Sequence, residues 1–286
     1  MINIFHIGYH KTATTWFQKH FYPFVSNYNL VNRNDIRNFF YENQEVSFKG
    51  KNDCIFCDEE LSGNIHTGGH STFLSKSIAR KISEFENSKV IIFIRNQIDI
   101  IASSYLQYVK KGGSYSINRY LYHKDFPNSN RAALFSFQHF NYFDKIKYYE
   151  KLIGKDNVFV YVYEDFRSNN TKFIHSFVNE HNFAIDVEKI SYKWKNESYS
   201  YINLCLSKFL NFFSREDVLY KYYLVHIPFL YEILLSINRI INLGKINRKK
   251  LLGKKNVEFI KSFYKKQNQL LQKEYNMDIN KYNYPI

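Results

Sequence analysis

Lys11-Thr12-Ala13-Thr14-Thr15 sets one ammonium and two adjacent hydroxyls directly after an apolar run, Ile4, Phe5 and Ile7, that stops at Gly8. Trp16, Phe17 and Phe21 follow at helical spacing. A strand that turns into a helix leaves the first backbone N–H groups of the helix without partners, and the helix dipole adds positive potential there. Such a turn is a phosphate cradle. It is not a Walker A loop, because Ala13 follows the lysine and no second glycine precedes it. The same residues also suit an ordinary strand-to-helix turn with threonine caps.

A second constellation is Arg95-Asn96-Gln97-Ile98-Asp99, with Ser103, Ser104 and Tyr105 beyond it. Arg95 closes the apolar run Val90–Ile94, and Ser103 falls about two turns into the helix that follows. A guanidinium recognises phosphate bidentately and a helix serine can add a hydroxyl. A surface salt bridge for Arg95 and a packed Ser103 are the plain alternative. Asp58-Glu59-Glu60 lies at the end of a third apolar run, where open α/β sheets bind ligands, and the next loop carries His66 and His70.

Together the two signatures resemble the sulfotransferase family, which takes a sulfuryl group from 3′-phosphoadenosine 5′-phosphosulfate (PAPS). Lys11–Thr15 resembles its Lys-Thr/Ser-Gly/Ala-Thr-Thr loop for the 5′-phosphosulfate. Arg95 to Tyr105 resembles its 3′-phosphate motif Arg-Asn-Pro-x-Asp…Ser-x-Tyr, with Gln97 in place of the proline. Asp58–Gly63 is similar to the Ser-Asp-Glu-x-Leu-Ser-Gly segment of bacterial members. Tyr163–Phe166, Asn196–Ser198 and the stretch Tyr282–Pro285 are similar to weaker family features.

The resemblance implies a P-loop-like α/β fold, PAPS as donor, no required metal, and a hydroxyl or amine acceptor, here expected on a carbohydrate or glycolipid. It implies that Lys11 stabilises the leaving phosphate and that Thr12, Ala13, Thr14 and Thr15 hold the 5′-phosphate. It assigns the 3′-phosphate to Arg95 and Ser103, and sets Trp16 against adenine, although a core role suits that ring equally. In-line transfer needs a general base; Glu59 aligns with the family glutamate, with Glu60, His66 and His70 as rivals. The family's late Arg-Lys-Gly triplet is absent, and the basic run Lys245–Lys255 reads as solvated surface.

These groups need a sheet to carry them. Runs at Asn3–Ile7, Asn29–Val31, Asp53–Cys57, Lys89–Ile94 and Asn157–Tyr163 read as strands. Helical patterns alternate with them at Trp16–Phe24, Asn34–Tyr41 (capped by Asn34), Thr72–Phe85, Ile98–Lys110, Phe137–Ile153 and Thr171–Asn182. That alternation predicts an α/β fold with a central, mostly parallel sheet flanked by helices. From about residue 195 the pattern turns helical, ending in Asn256–Tyr275, so residues 1–286 read as one domain with a core over 1–195 and a helical part over 196–286.

Length and a hydrophobic share of 45% allow a sizeable core. A net charge of +14 favours an anionic partner. A nucleotide kinase and a basic nucleic-acid-binding protein are the alternatives; the missing Walker features count against the first, and the lack of any recognition motif against the second. No nucleic-acid partner is therefore expected. Cys54 and Cys57 sit three apart on a strand and so face opposite ways, which disfavours a shared metal. Three cysteines and no visible signal peptide suit a cytoplasmic protein. The apolar stretch Val218–Leu243 is too interrupted by charge to span a membrane, but Tyr220–Ile241 could rest on an anionic membrane surface at the inner face.

Overall fold

The computed structural model describes residues 1–44, 48, 53–66, 69–122, 134–192, 200–214, 221–222, 224–240, 244 and 246–286. In chain order the strands are β1 (Asn3–His6), β2 (Asn29–Leu30), β3 (Cys54–Cys57), β4 (Ser88–Ile94) and β5 (Val158–Val162). They form one parallel sheet in the order β2-β3-β1-β4-β5. β1 lies in the middle, and the chain passes from β3 across it to β4. The carboxyl end of β1 is therefore beside the topological switch point, where open α/β sheets form their ligand crevice.

Alternation along the strands gives each face its own core. Phe5, Phe56, Val90, Ile92 and Ile94 point to one side, and Ile4, Ile55, Cys57, Ile91 and Phe93 to the other. Cys54 joins the first cluster and Cys57 the second, as strand geometry requires. Helices cover both faces, which is why these strands read as near-continuous apolar runs.

The helices are α1 (Thr14–Trp16), α2 (Arg33–Glu42), α3 (Gly69–Ser83), α4 (Gln97–Lys110), α5 (Ile117–Leu121), α6 (Tyr142–Ile153), α7 (Tyr163–Ser168), α8 (Asn170–His181), α9 (Tyr201–Leu210), α10 (Leu230–Ile240), α11 (Arg248–Leu252) and α12 (Lys254–Tyr275). Ile78 and Ile82 of α3, Ile101 and Tyr105 of α4, Ile146 of α6 and Tyr264 of α12 fill the first face. Phe166 of α7 and Phe177 of α8 fill the second.

Three local expectations change, one being Phe137–Ile153, which is a 3-10 turn over Phe137–Phe140 followed after Asn141 by α6. The helix expected over Trp16–Phe24 is α-helical only through Trp16. It continues as a π-helical turn over Phe17–Phe21, whose Tyr22 N–H reaches back to the Phe17 carbonyl, and then as a 3-10 turn containing Pro23. The wider turn lets Phe17, Phe21 and Tyr22 all bury against the sheet. In α2 the cap is Asn32 instead of Asn34: Asn32 is extended, and its side chain accepts from the Asn34 N–H at 2.8 Å.

Candidate functional site

The chain leaves β1 at Gly8 and doubles back. Thr12 closes the turn, its N–H and hydroxyl both donating to the Tyr9 carbonyl. Lys11 and Ala13 both take φ of 70°, a left-handed conformation that costs a residue with a Cβ about 1–2 kcal/mol. Trp16 and Phe17 N–H then bond to the Ala13 carbonyl and begin the helical segment. Among the described residues the N–H groups of Lys11, Ala13, Thr14 and Thr15 meet no protein acceptor. The Thr14 hydroxyl is buried without a partner. A Cβ on Gly8 would lie 3.0 Å from both the Thr12 and Thr14 hydroxyl oxygens and 2.8 Å from His6 Nε2, so only glycine leaves the hollow open. Free donors around a hollow form an anion nest.

The second signature meets the first. Arg95 lies at the end of β4, and its Nη1 donates to the Lys11 carbonyl at 2.7 Å, across 84 residues of sequence. Its guanidinium lies 4.8 Å over the Tyr163 ring, and its Nε is buried without a partner. Asn96 caps α4, accepting from the Ile98 N–H at 2.9 Å, while its own N–H donates to Glu164. The Asn96 amide also donates to the carbonyls of Tyr282 and Asn283 at 3.0 and 2.7 Å, and Tyr284 donates to Glu164. Tyr163–Phe166 and Tyr282–Pro285, far apart in sequence, thus converge on the Arg95 turn.

Ser103 lies on α4 with its hydroxyl turned back to the Asp99 carbonyl at 2.7 Å. Among the described residues it makes no hydrogen bond to Arg95. Asp99 pairs at 2.7 Å with Arg248, the first residue of α11. The expectation that the late basic run is only solvated surface therefore needs correction at Arg248, which is docked on α4. Lys249, Lys250, Lys254 and Lys255 are exposed, while Lys245 and Asn196–Ser198 lie outside the described residues.

Glu59 and Glu60 belong to a 3-10 turn over Glu59–Ser62, so strand alternation does not set their directions. Asp58, wholly buried, caps the turn and accepts from Nε of both Arg33 and Arg37 at 2.9 Å. Burial alone would raise its carboxyl, but the two guanidinium hydrogen bonds outweigh that and hold it below the usual range. Arg33 also grips Glu59 Oε1 at 2.6 Å, and Glu59 Oε2 is buried without a partner. Glu60 pairs with His10 Nε2 at 3.1 Å. Arg33 and Arg37, four apart on α2, are a legible helical pair that sequence reasoning passed over.

The Lys11 side chain reaches solvent at the mouth of a recess crowded by protein atoms. That crowding, with Lys110 and Arg95 nearby and only partly offset by Glu59, pushes its ammonium down to about 8. His66 hydrogen-bonds Tyr120 at 3.3 Å; burial, then the cations around it, push it down to about 3 and keep it neutral. His70 is exposed on α3. Trp16 is 5% exposed, its Nε1 donating to the Ser191 carbonyl and its ring stacked with Tyr192 and packed on Phe166.

The structure thus brings Lys11, Thr12, Ala13, Thr14, Thr15 and Arg95 to one end of the sheet, with Glu59 close enough for Lys11 to feel its charge. A surface groove of about 710 Å³ lies apart from this cluster, between α5 and the α11–α12 junction.

No family model matches the chain, and no curated protein matches it. Among solved structures it is similar to a sulfotransferase from Alicyclobacillus acidocaldarius, with 12% identity and a TM-score of 0.51 over 73% of this chain and 91% of that one. It is also similar to mouse sulfotransferase SULT7A1 complexed with PAP, with 14% identity and a TM-score of 0.44 over 93% of this chain and 84% of that one. With its central strand, its order of five parallel strands and its flanking helices, the chain has the fold of the sulfotransferases.

Proposed function

We propose that this chain moves a sulfuryl group from PAPS onto a hydroxyl or amine of a carbohydrate or glycolipid acceptor. The observation that carries the reading is the Arg95–Lys11 contact, which joins a nest of unclaimed N–H groups to a second cationic turn. Two anionic groups of one nucleotide suit such a pair. PAPS would supply the activated sulfuryl group and a good leaving phosphate.

The residues present fit that donor. Thr14, with its orphan hydroxyl, and the N–H groups of Lys11, Ala13, Thr14 and Thr15 would hold the 5′ side, and Thr12 closes the loop beneath them. The Lys11 ammonium would offset charge on the leaving oxygen. Arg95, Ser103 and Arg248 would face the 3′ side, once Arg248 gives up part of its bond to Asp99. Trp16 would serve by packing the helical segment that presents Thr14 and Thr15. Glu59 would take the acceptor proton on Oε2, with Arg33 holding the other oxygen. The C-terminal helices α9, α11 and α12 share the first core cluster, which supports treating residues 1–286 as one domain.

The test is calorimetric titration of 3′-phosphoadenosine 5′-phosphate (PAP) without magnesium into the wild type and Arg95→Ala. Binding of about micromolar strength in the wild type that is lost in the variant is expected. No binding, or tight binding of ATP only with magnesium, would overturn the reading in favour of a nucleotide kinase.

A further inference from the structure

We propose that the surface built by α9, the described residues after it (211–214, 221–222 and 224–229) and the start of α10 docks on an anionic lipid bilayer. Of sixteen large apolar side chains exposed among the described residues, ten lie between Tyr201 and Ile233. Scattered exposed apolar residues are ordinary, but a contiguous set of this size marks an interaction surface. Members of the set adjoin: Ile202, Leu206 and Phe209 lie about a turn apart on α9. Leu224 and Ile227 N–H bond to the carbonyls of Phe212 and Phe213, which lays residues 224–227 along the end of α9.

Phe229 carries a second signal. It is 74% exposed and takes φ of 60°, a conformation that is an outlier for a bulky residue. The fold bears both strain and an unburied ring at one position, and strain of this kind gathers where a segment serves binding. Leu224 and Phe209 of the same set are 69% and 65% exposed, whereas Leu234 of α10 is buried. The outward face is therefore Phe229 and Ile233, not Leu234.

Charge selects the occupant. Tyr222 of this surface lines one side of the 710 Å³ groove, and Lys254 and Lys255 line the same groove from α12. Lys249 and Lys250 are exposed on the adjoining α11. Apolar side chains flanked by lysines match an acidic headgroup layer over acyl chains. A second copy of the chain would set the same lysines against these and add a chain of net charge +14, which opposes self-association. Among the described residues no helix is long and apolar enough to cross a membrane. The proposal does not rest on sulfuryl transfer.

The experiment is co-sedimentation of the full chain with vesicles of phosphatidylglycerol and phosphatidylcholine in equal parts, and with phosphatidylcholine alone. The wild type should pellet only with the acidic vesicles. Phe209→Glu with Phe229→Glu should weaken partitioning at least about tenfold. Both sites are exposed, so the fold should hold, and circular dichroism with thermal melting checks it. Lys254→Ala with Lys255→Ala should weaken binding less and blunt its salt dependence. A polarity-sensitive dye on the exposed thiol of Cys205 in α9 should shift blue with acidic vesicles; Cys54 and Cys57 are buried. Wild type left in the supernatant, equal binding to neutral vesicles, or unchanged binding by the double glutamate variant would overturn the proposal. So would light scattering that shows a dimer which the glutamates dissolve, since that assigns the face to a second copy.

Discussion

Gln97 and Asn268, 171 residues apart, exchange two side-chain hydrogen bonds at 2.8 and 3.1 Å inside the core. The second Asn268 N–H goes to the Pro285 carbonyl at 2.8 Å. Gln97 stands where the resembled motif has proline, and the amide pair explains how a polar residue is tolerated there. Asn268→Leu should leave the Gln97 amide and the Pro285 carbonyl unpaired and cost about 2–3 kcal/mol. Adding Gln97→Met should recover much of that loss. Urea unfolding of the single and double variants measures both.

Gly8→Ala puts a methyl group into the hollow bounded by Thr12, Thr14 and His6. PAP should bind at least about tenfold more weakly, because donors that close on one small anion cannot also close on a methyl group. Ala13→Gly is the converse. Relief of the left-handed strain, worth about 1 kcal/mol, is offset by the greater freedom of glycine in the unfolded chain. Stability should change by less than about 1 kcal/mol and PAP binding should persist; titration and thermal melting separate the two variants.

Lys11, lowered to about 8 from an ordinary 10.5, gives a pH signature. Between those values the unfolded chain holds a proton that the folded chain has released. This group's contribution to stability therefore rises with pH across that window. Anion affinity runs the other way, and PAP binding should start to weaken above about pH 8. Lys11→Arg, charged throughout, should carry binding past pH 10. Titrations at a series of pH values check the limb.

Glu59→Gln should lower turnover about 10²–10⁴-fold with an acceptor drawn from a carbohydrate panel, while PAP affinity stays as in the wild type. Arg33→Ala should act more mildly, since it loosens Glu59 without removing the carboxylate. A Glu59→Gln variant with full turnover would move the base to Glu60, His10 or His66.

Much of this was legible in the sequence because it is local. The run of residues from Gly8 to Thr15 is a strand-to-helix turn by spacing alone, and Cys54 and Cys57 split between faces because strands alternate. Arg95 at a strand end was legible too. Its contact with Lys11 was not, since no local pattern says which two strand ends adjoin. Arg248 hid among lysines for the same reason: only docking of a five-residue helix on α4 singles it out. Trp16 shows the limit from the other side, since its stacking partner Tyr192 and its bonding partner Ser191 come from the far end of the α/β core.

The Asn96 amide has a timing consequence. It is translated early, yet one of the carbonyls it donates to lies 186 residues later. At ordinary rates of synthesis that is about 10–40 s during which the Arg95 turn lacks its final clasp. The nascent chain must wait with that turn open, and the Arg95 turn takes its final form only as the stretch around Asn283 docks.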